Sequence, residues 1–257
     1  MIDIIMPCYE RLSLMERAVN SCLPYIKNHD VFNKIIVIDD SISKNIEDFC
    51  KNKSYIIYKR VINKNPGLNR NLAAKISGAD YLLYLDSDNY LKKNIENHLY
   101  KIKNYLDTYN PDGIWISCNN KSNITSLKYV KKGFHLIKNK FYFNNKIGEV
   151  QHLVKRTLLI NNPYIVLKGY TLDAPDYLWA RVFSSKNNIY FFPSSIQDYQ
   201  LNDDSISNIP IFKKSKPQAF NYLNSFFVLL NNKLWFNKSI FIYLFKGLIY
   251  KFISKIK

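Results

Sequence analysis

Glycine is scarce in this chain, whose 257 residues include only seven. Two glycine-dependent nucleotide-binding motifs, G-x-x-x-x-G-K-[S/T] and G-x-G-x-x-G, do not occur. Both motifs place glycine where the backbone must approach a phosphate closely. The sequence therefore gives no support to a P-loop enzyme or to a dinucleotide-binding enzyme of the usual pattern.

Cysteines and long apolar runs are also in short supply. The four cysteines, Cys8, Cys22, Cys50 and Cys118, form no C-x-x-C pair, so neither a zinc site nor a disulfide framework is predicted. No run approaches the roughly 18 apolar residues that a membrane-spanning helix needs. The first residues do not have the pattern of a secretory signal, so we expect a cytoplasmic catalytic part.

Acidic residues are few beside basic ones, with 20 Asp and Glu against 37 Lys and Arg and a formal net charge of +17. This excess favours anionic partners such as nucleic acid, phosphorylated metabolites or acidic lipid. The excess of basic residues is also explained by the codon composition of an AT-rich genome, since Lys, Asn, Ile and Tyr are abundant. A basic nucleic-acid-binding protein is one alternative, but no nucleic-acid-binding signature accompanies the charge and we expect no such partner.

Short apolar runs alternate with helix-like segments through most of the chain. This alternation predicts an α/β fold with a mostly parallel sheet flanked by helices. Leucine, alanine and other apolar residues recur at helical spacing after the first strand, and Pro24 should end or kink that helix. The predicted strands cover residues 2–6, 35–38, 55–58, 81–85, 114–117 and 189–192, and ordered structure is expected near residues 150–154.

Acidic residues follow two of these strands directly. Asp39 and Asp40 come after residues 35–38, and the D-x-D of Asp86 and Asp88 comes after the apolar residues 81–84. Ligands of open α/β sheets bind beyond the carboxyl ends of the strands, where two carboxylates can hold a divalent cation and contact a ribose. A D-x-D alone also fits a solvated turn or a helix cap. Nearby segments add an aromatic ring and two arginines to the same edge, which favours a ligand site.

These motifs resemble those of the family 2 glycosyltransferases, inverting enzymes with the GT-A fold. The resemblance is close over residues 2–90 and looser to about residue 207. Residues 4–11 are similar to the family's first strand and nucleotide loop, which implies that Pro7, Tyr9 and Arg11 line the base pocket. Residues 36–41 are similar to its second motif. This implies that Asp39 and Asp40 bind the nucleotide and that Asp40 accepts the imide N–H of uracil.

Asp86-Ser87-Asp88 resembles the family's D-x-D motif. The resemblance implies that Asp86 and Ser87 lie at the nucleotide, with Asp86 near the ribose. It also implies that Asp88, with Asp86, binds Mn²⁺ or Mg²⁺ between the two phosphates.

A further segment, residues 67–71, is similar to the part of the family in which an arginine approaches the base or the diphosphate. Its spacing to Gly78 is one residue short of the family pattern, so either Asn69 or Arg70 fills that position. His152 lies in a region that faces the sugars in the family, and it has either that role or a packing role.

Residues 176–179 resemble the acidic pair and apolar helix that supply the family's catalytic base, which implies that Asp176 takes the acceptor proton. Pro175 replaces the first acid of the pair, and Asp173 is the alternative base. A helix N-terminus at Asp176 should favour its ionised form. Asn202 stands where the family often has a histidine near the metal, so no histidine ligand is predicted.

The pattern of residues 234–257 predicts a basic amphipathic helix. Apolar residues at 241, 245, 248, 249, 252, 253 and 256 share one helical face, and lysines at 246, 251, 255 and 257 lie off it. Such a helix packs either on the domain or on an anionic membrane surface. We therefore predict a GT-A domain over residues 1–210 and a helical tail over residues 211–257, peripheral at the inner face of a bacterial inner membrane.

The resemblance also implies a function. We expect transfer of a sugar from a nucleotide sugar, preferably a UDP-sugar, to a hydroxyl of a glycan such as a lipid-linked or surface polysaccharide precursor. The carboxylate of Asp40 suits the imide N–H of uracil, but guanine offers a similar N–H. A sugar nucleotidyltransferase is a further alternative, although residues 7–11 lack the glycine-rich loop that such enzymes carry.

Overall fold

The computed structural model describes residues 1–27, 31–62, 65–118, 133–137, 150–170, 172, 175–198, 210–232 and 238–255. In these residues an eight-stranded sheet forms the centre of the fold. Its strands are β1 Ile2–Cys8, β2 Phe32–Asp39, β3 Ile56–Arg60, β4 Tyr81–Tyr84, β6 Gly113–Ser117, β7 His135–Leu136, β8 Val150–Lys155 and β9 Ile189–Phe192. Two short strands, β5 Tyr90–Leu91 and β10 Gln197–Asp198, pair separately.

Helices cover both faces of the sheet. They are α1 Leu12–Lys27, α2 Asn45–Cys50, α3 Pro66–Ile76, α4 Glu96–Tyr109, α5 Arg156–Asn161, α6 Pro175–Ser184, α7 Ile211–Asn231 and α8 Lys238–Ile253. Alternate residues of a strand point to opposite faces, so Ile4 and Met6 join one core and Ile5 joins the other. The strands are buried on both faces, which explains why the sequence shows them as continuous apolar runs.

The strand order is β3-β2-β1-β4-β8-β6-β9-β7. The strands β3, β2, β1 and β4 are parallel, whereas β8 pairs antiparallel with both β4 and β6. The six predicted strands and the mostly parallel α/β sheet are thus confirmed, and the structure adds the strand Val150–Lys155, where the sequence predicted only ordered structure. The parallel half has its carboxyl ends aligned, with Cys8 opposite Asp39 and Asp39 opposite Arg60.

The helix after β1 continues past its proline. We predicted that Pro24 would end or kink α1, but the helix runs on to Lys27, so an end at Pro24 is wrong. A proline in a helix leaves the carbonyl four residues earlier without its usual N–H partner. That residue, Asn20, is exposed, so water can satisfy its carbonyl.

The last two helices form a hairpin that packs on the rest of the fold. Leu229 of α7 and both Ile240 and Tyr243 of α8 belong to the same buried cluster as Trp115 in the central sheet and Trp179 in α6. Packing on the domain is therefore observed for one face of α8, and the division at residue 210 stays a prediction. No helix in the described ranges is long and apolar enough to cross a membrane.

Candidate functional site

The loops after β1 and β2 are tied together by Glu10. Its backbone N–H donates to the Ser41 hydroxyl at 2.8 Å, and its carboxylate accepts the Ser43 hydroxyl at 2.8 Å and the Ser43 N–H at 3.1 Å. The hydrogen bonds from Ser43 lower the pKa of Glu10. Glu10 has a φ of 50°, which is unusual for a residue with a side chain. These hydrogen bonds hold the loops after β1 and β2 together, and we call the surface that the two loops form the rim of the site.

Asp40 lies at the centre of this rim and is almost fully buried. Its Oδ2 accepts the Asn69 side-chain amide at 3.0 Å and the Asn65 backbone N–H at 3.3 Å. Its Oδ1 is buried and meets no hydrogen-bond donor among the described residues. A buried carboxylate oxygen without a donor is costly, so this atom calls for a donor from water, from a ligand or from the chain outside the described residues.

Asp39 points away from that position into the fold. Its carboxylate accepts the Tyr58 hydroxyl at 2.7 Å and the Ser41 N–H at 2.9 Å, and the residue is fully buried. Burial, together with the hydrogen bond to Asp39, raises the pKa of Tyr58. The contacts of Asp39 are those of a support for the loop that carries Asp40, and its role in nucleotide binding stays a prediction.

Pro7 and Tyr9 lie at the carboxyl end of β1, beside the end of β2. Pro7 is the penultimate residue of β1, and Tyr9 follows the strand with 49% of its surface exposed. An exposed aromatic ring at a strand end is available for stacking on a base. The role of Pro7 and Tyr9 in a base pocket stays a prediction.

Both carboxylates of the D-x-D segment form ion pairs with arginines from elsewhere in the chain. Asp86 Oδ1 lies 2.6 Å from Arg70 Nη2, and Asp88 Oδ2 lies 3.2 Å from Arg11 Nη1. Arg17 adds a hydrogen bond to the Asp88 backbone carbonyl at 2.8 Å. The structure thus brings Arg11, Arg70, Asp86 and Asp88 together at one edge, as the motifs predicted.

Two smaller points at this edge concern Ser87 and the position left open between Asn69 and Arg70. Ser87 is buried, and a hydrogen bond from it partly offsets the burial that raises the pKa of Cys8.

Asn69 donates a hydrogen bond to Asp40, whereas Arg70 pairs with Asp86 and lies over the rings of Tyr84 and Tyr164. Arg70 is therefore the residue beside the D-x-D.

A divalent cation fits this donor set, although the residues that the structure describes do not form a complete cage. In the parts of the chain that the structure describes, no group of three or more His, Cys, Asp or Glu side chains gathers as a metal site. Mg²⁺ is commonly held by one or two carboxylates together with the phosphates of a substrate. Asp86 is half exposed and Asp88 partly so, and they supply such hard oxygen ligands.

His152 lies in an aromatic cluster that includes Tyr84, the ring over which Arg70 lies. Its ring stacks on Trp179 with centroids 4.5 Å apart and meets Tyr84 and Trp115 edge-on. Burial, with a smaller contribution from the positive charge of Arg70, lowers the pKa of His152 to about 3. The ring is therefore neutral at physiological pH and packs as a core residue.

Asp176 lies in the first turn of α6, as predicted, but its contacts are with the hairpin of α7 and α8. Its carboxylate accepts the Asn221 side-chain amide at 2.7 Å and the Tyr243 hydroxyl at 3.3 Å. Burial raises the pKa of Asp176, and these two hydrogen bonds only partly oppose the rise. Our expectation that the helix N-terminus would favour the ionised form is corrected, because desolvation has the larger effect. Asp173, the alternative base, lies outside the described residues, and so does Asn202, which stands where the family often has a histidine near the metal.

Several residues that shape the site were missed from the sequence. Arg60 donates to the backbone carbonyls of Ser41 and Ile42, and Asn65 caps α3 by accepting the Leu68 N–H. Asn65 followed by Pro66 is a recognisable helix start and could have been found. Arg60 and Arg17 act across 18 or more residues of sequence, so no local pattern signals them.

Comparisons with known proteins point to one family. The model of "Glycosyl transferase family 2" matches residues 3–161. A poly(ribitol-phosphate) beta-N-acetylglucosaminyltransferase, TarP of Staphylococcus aureus, is 26% identical over 240 residues, or 88% of this chain and 71% of that protein. An uncharacterized glycosyltransferase of Rickettsia bellii is 33% identical over 90 residues, which cover 34% of this chain but only 13% of the relative's length.

Solved structures of S. aureus TarS share the fold. TarS residues 1–349 in complex with UDP-GlcNAc align over 93% of this chain and 74% of that chain, with a TM-score of 0.67 and 13% identity. The complex of the same protein with UDP aligns over 87% of this chain and 64% of that chain, with a TM-score of 0.63 and 15% identity. The predicted GT-A-like α/β fold is thus confirmed. Because the family model covers more than half of its residues, the chain belongs to glycosyl transferase family 2.

Proposed function

We propose that this protein transfers a sugar from a UDP-sugar to a hydroxyl of a glycan acceptor, with inversion at the anomeric carbon. The observation that carries the choice of uridine is the buried Oδ1 of Asp40, which no described residue satisfies. The imide N–H of uracil is a donor of the required kind. The complexes of TarS with UDP and UDP-GlcNAc support the same donor class.

The other residues of the rim suit the rest of the donor. Tyr9 would stack on the base, with Pro7 beside it, and Asp86 would accept a ribose hydroxyl. The guanidinium groups of Arg11 and Arg70 already face carboxylates at this edge, and the same groups bind phosphate oxygens well. The donor would thus lie across the ends of β1, β2 and β4.

Asp88, with Asp86, would hold Mn²⁺ or Mg²⁺ through carboxylate oxygens. Bound there, the ion would supply positive charge to the diphosphate leaving group. The arginine pairs orient both carboxylates at the edge.

The transfer itself is a single displacement. The acceptor hydroxyl oxygen forms a bond to the anomeric carbon as the bond from that carbon to the phosphate oxygen breaks, and UDP departs with the bonding electrons. The hydroxyl proton passes to the Asp176 carboxylate, which must stand on the side opposite the leaving group. One displacement inverts the anomeric centre.

Substitution of Asp40 by asparagine tests the uridine assignment. Asp40 Oδ2 accepts two N–H groups, so the oxygen of an asparagine should take that position and its NH₂ the position of Oδ1. That NH₂ opposes the imide N–H of uracil but can donate to N3 of cytosine. Asp40→Asn should therefore lower UDP affinity about tenfold or more, as expected for a lost charge-assisted hydrogen bond, and raise CDP affinity.

Calorimetric titration with UDP and CDP measures both affinities. The two ligands share the ribose and the diphosphate, so CDP serves as the matched control. An unchanged ratio of UDP to CDP affinity in a variant with wild-type melting temperature would contradict the role of Asp40.

We further propose that the acceptor is carried at an anionic membrane surface and that α8 binds there. One face of α8 packs on α7, where a Cβ at Gly247 would lie 2.7 Å from the Leu223 side chain. The opposite face is apolar and open, with each side chain between 42% and 67% exposed. This outward face consists of Phe241, Ile242, Phe245, Leu248, Ile249 and Phe252.

Charge argues for an anionic bilayer as the occupant of the outward face. The exposed lysines 246, 251 and 255 flank this face, and the whole chain carries a net charge of +17. Aromatic rings with flanking lysines are typical of helices that lie in the interface of anionic membranes. Of the apolar residues predicted from the sequence, Ile256 lies outside the described residues.

Point substitutions test this surface better than truncation, because removal of α8 would also remove Ile240 and Tyr243 from the core. A variant with Phe241, Phe245 and Phe252 all changed to serine should lose most of its sedimentation with phosphatidylglycerol vesicles. Tyr100→Ser, at an aromatic residue of α4 that is 65% exposed, is the control and should sediment like the wild type.

Two results would contradict membrane binding by the outward face. One is that the triple variant sediments like the wild type. The other is that light scattering shows a dimer of the wild type that the triple variant loses, since a second copy would then cover this face.

A further inference from the structure

Both oxygens of the Asp176 carboxylate are engaged by the hairpin of α7 and α8. Asn221 of α7 donates its side-chain amide to Oδ2 at 2.7 Å, and Tyr243 of α8 donates its hydroxyl to Oδ1 at 3.3 Å. The Asn221 side-chain oxygen also accepts the Tyr177 N–H at 2.9 Å. Asn221 therefore contacts two consecutive residues in the first turn of α6.

The two donors are themselves held firmly. Asn221 is 2% and Tyr243 is 3% exposed. The Asn221 carbonyl accepts the Ser225 hydroxyl at 2.7 Å, and the Tyr243 ring lies 5.8 Å from that of Tyr222. Buried, packed side chains have few alternative rotamers, so they can impose one orientation on the carboxylate.

We propose that Asn221 and Tyr243 are positioning residues that hold Asp176 in the orientation required of the base. The proposal rests on the proposed function, in which Asp176 accepts the proton of the acceptor hydroxyl. Asn221 and Tyr243 act through Asp176, by fixing the direction in which its carboxylate faces.

These contacts also set the pH at which Asp176 is a competent base. Burial raises its pKa, and the hydrogen bonds from Asn221 and Tyr243 lower it. The base must be deprotonated, so turnover falls as the pH falls through this raised pKa. Loss of the Tyr243 hydroxyl removes a hydrogen bond to the charged form, which should move the fall in turnover to higher pH.

Other titratable groups also face this carboxylate. The charge of Lys246 on α8 lowers its pKa, and Tyr222 of α7 lies close enough for Asp176 to raise the tyrosine's pKa. Tyr177 and Arg181 lie on α6 itself, where the arginine stacks over the tyrosine ring. None of these groups is altered by a change of Tyr243 to phenylalanine.

The test compares Tyr243→Phe with Tyr250→Phe, the same substitution on the same helix at a ring that stacks on Tyr222. Carboxyl ¹³C NMR measures the pKa of Asp176 without any substrate. The Asp176 resonance is assigned as the one that is missing from the spectrum of Asp176→Asn. We expect Tyr243→Phe to raise the pKa of Asp176 by about one unit, as a lost hydrogen bond to a charged group implies, and Tyr250→Phe to leave it unchanged.

The second readout is release of UDP from UDP-GlcNAc with water as the acceptor, followed against pH. The acidic fall in rate should move with the NMR pKa, and Tyr243→Phe should have no further effect in an Asp176→Asn background. An unshifted pKa in Tyr243→Phe, or a shift that the rate profile does not follow, would overturn the positioning role. If Asp176→Asn itself keeps the wild-type rate, the base assignment fails, and the proposal fails with it.

Discussion

Asp88→Ala should remove the Mn²⁺-dependent part of UDP binding while leaving the fold intact. Asp88 lies just beyond β4, outside the buried cores, and its carboxylate pairs with Arg11. Without this ligand, Asp86 alone would hold the ion. In calorimetric titrations the variant should bind UDP equally well in Mn²⁺ and in chelator, whereas the wild type should bind at least about tenfold more tightly with Mn²⁺.

The matched control is Asp48→Ala, which removes an exposed carboxylate of α2 that pairs with Lys51. Its UDP affinity and its metal dependence should equal those of the wild type. If Asp88→Ala retains both as well, and melts at the wild-type temperature, the metal assignment at the D-x-D is wrong.

Asp176→Asn should lower turnover by a factor on the order of 10² or more, as loss of a general base commonly does. Asparagine keeps the shape of the side chain. Its oxygen can still accept the Asn221 amide and its NH₂ can donate to the Tyr243 hydroxyl, but it cannot take a proton. UDP affinity should stay near the wild-type value, because Asp176 contacts the hairpin and not the rim around Asp40.

The alternative role for Asp176 is an anchor between α6 and the hairpin. In that case Asp176→Asn would melt at a lower temperature yet turn over at nearly the wild-type rate. Such a result would move the search for the base to Asp173.

The sequence predicted the strands and the rim of the site well, for a simple reason. Strands buried on both faces are short apolar runs, and the polar residues after them must lie at the carboxyl edge of a parallel sheet. Asp40, Asp86 and Asp88 were placed by this rule alone. The order of strands was less accessible, since the antiparallel insertion of β8 between β4 and β6 depends on pairings far apart in sequence.

Contacts between distant segments account for what the sequence did not reveal. The Arg11 to Asp88 pair spans 77 positions, and the hydrogen bond from Asn221 to Asp176 spans 45. The direction of the Asp176 pKa shift was mispredicted for the same reason. The helix N-terminus could be read locally, but the burial of Asp176 by α7 and α8 could not.

A panel of nucleotide sugars tests whether this protein is a metal-dependent glycosyltransferase that uses a UDP-sugar. The purified protein is incubated with UDP-, GDP-, dTDP- and CDP-sugars, with and without Mn²⁺, and the released nucleoside diphosphate is measured. We predict release of UDP from a UDP-sugar, dependent on Mn²⁺ and lost in Asp88→Ala. The account would be contradicted if no nucleotide sugar were bound or hydrolysed while the protein bound nucleic acid with an affinity that falls steeply with salt.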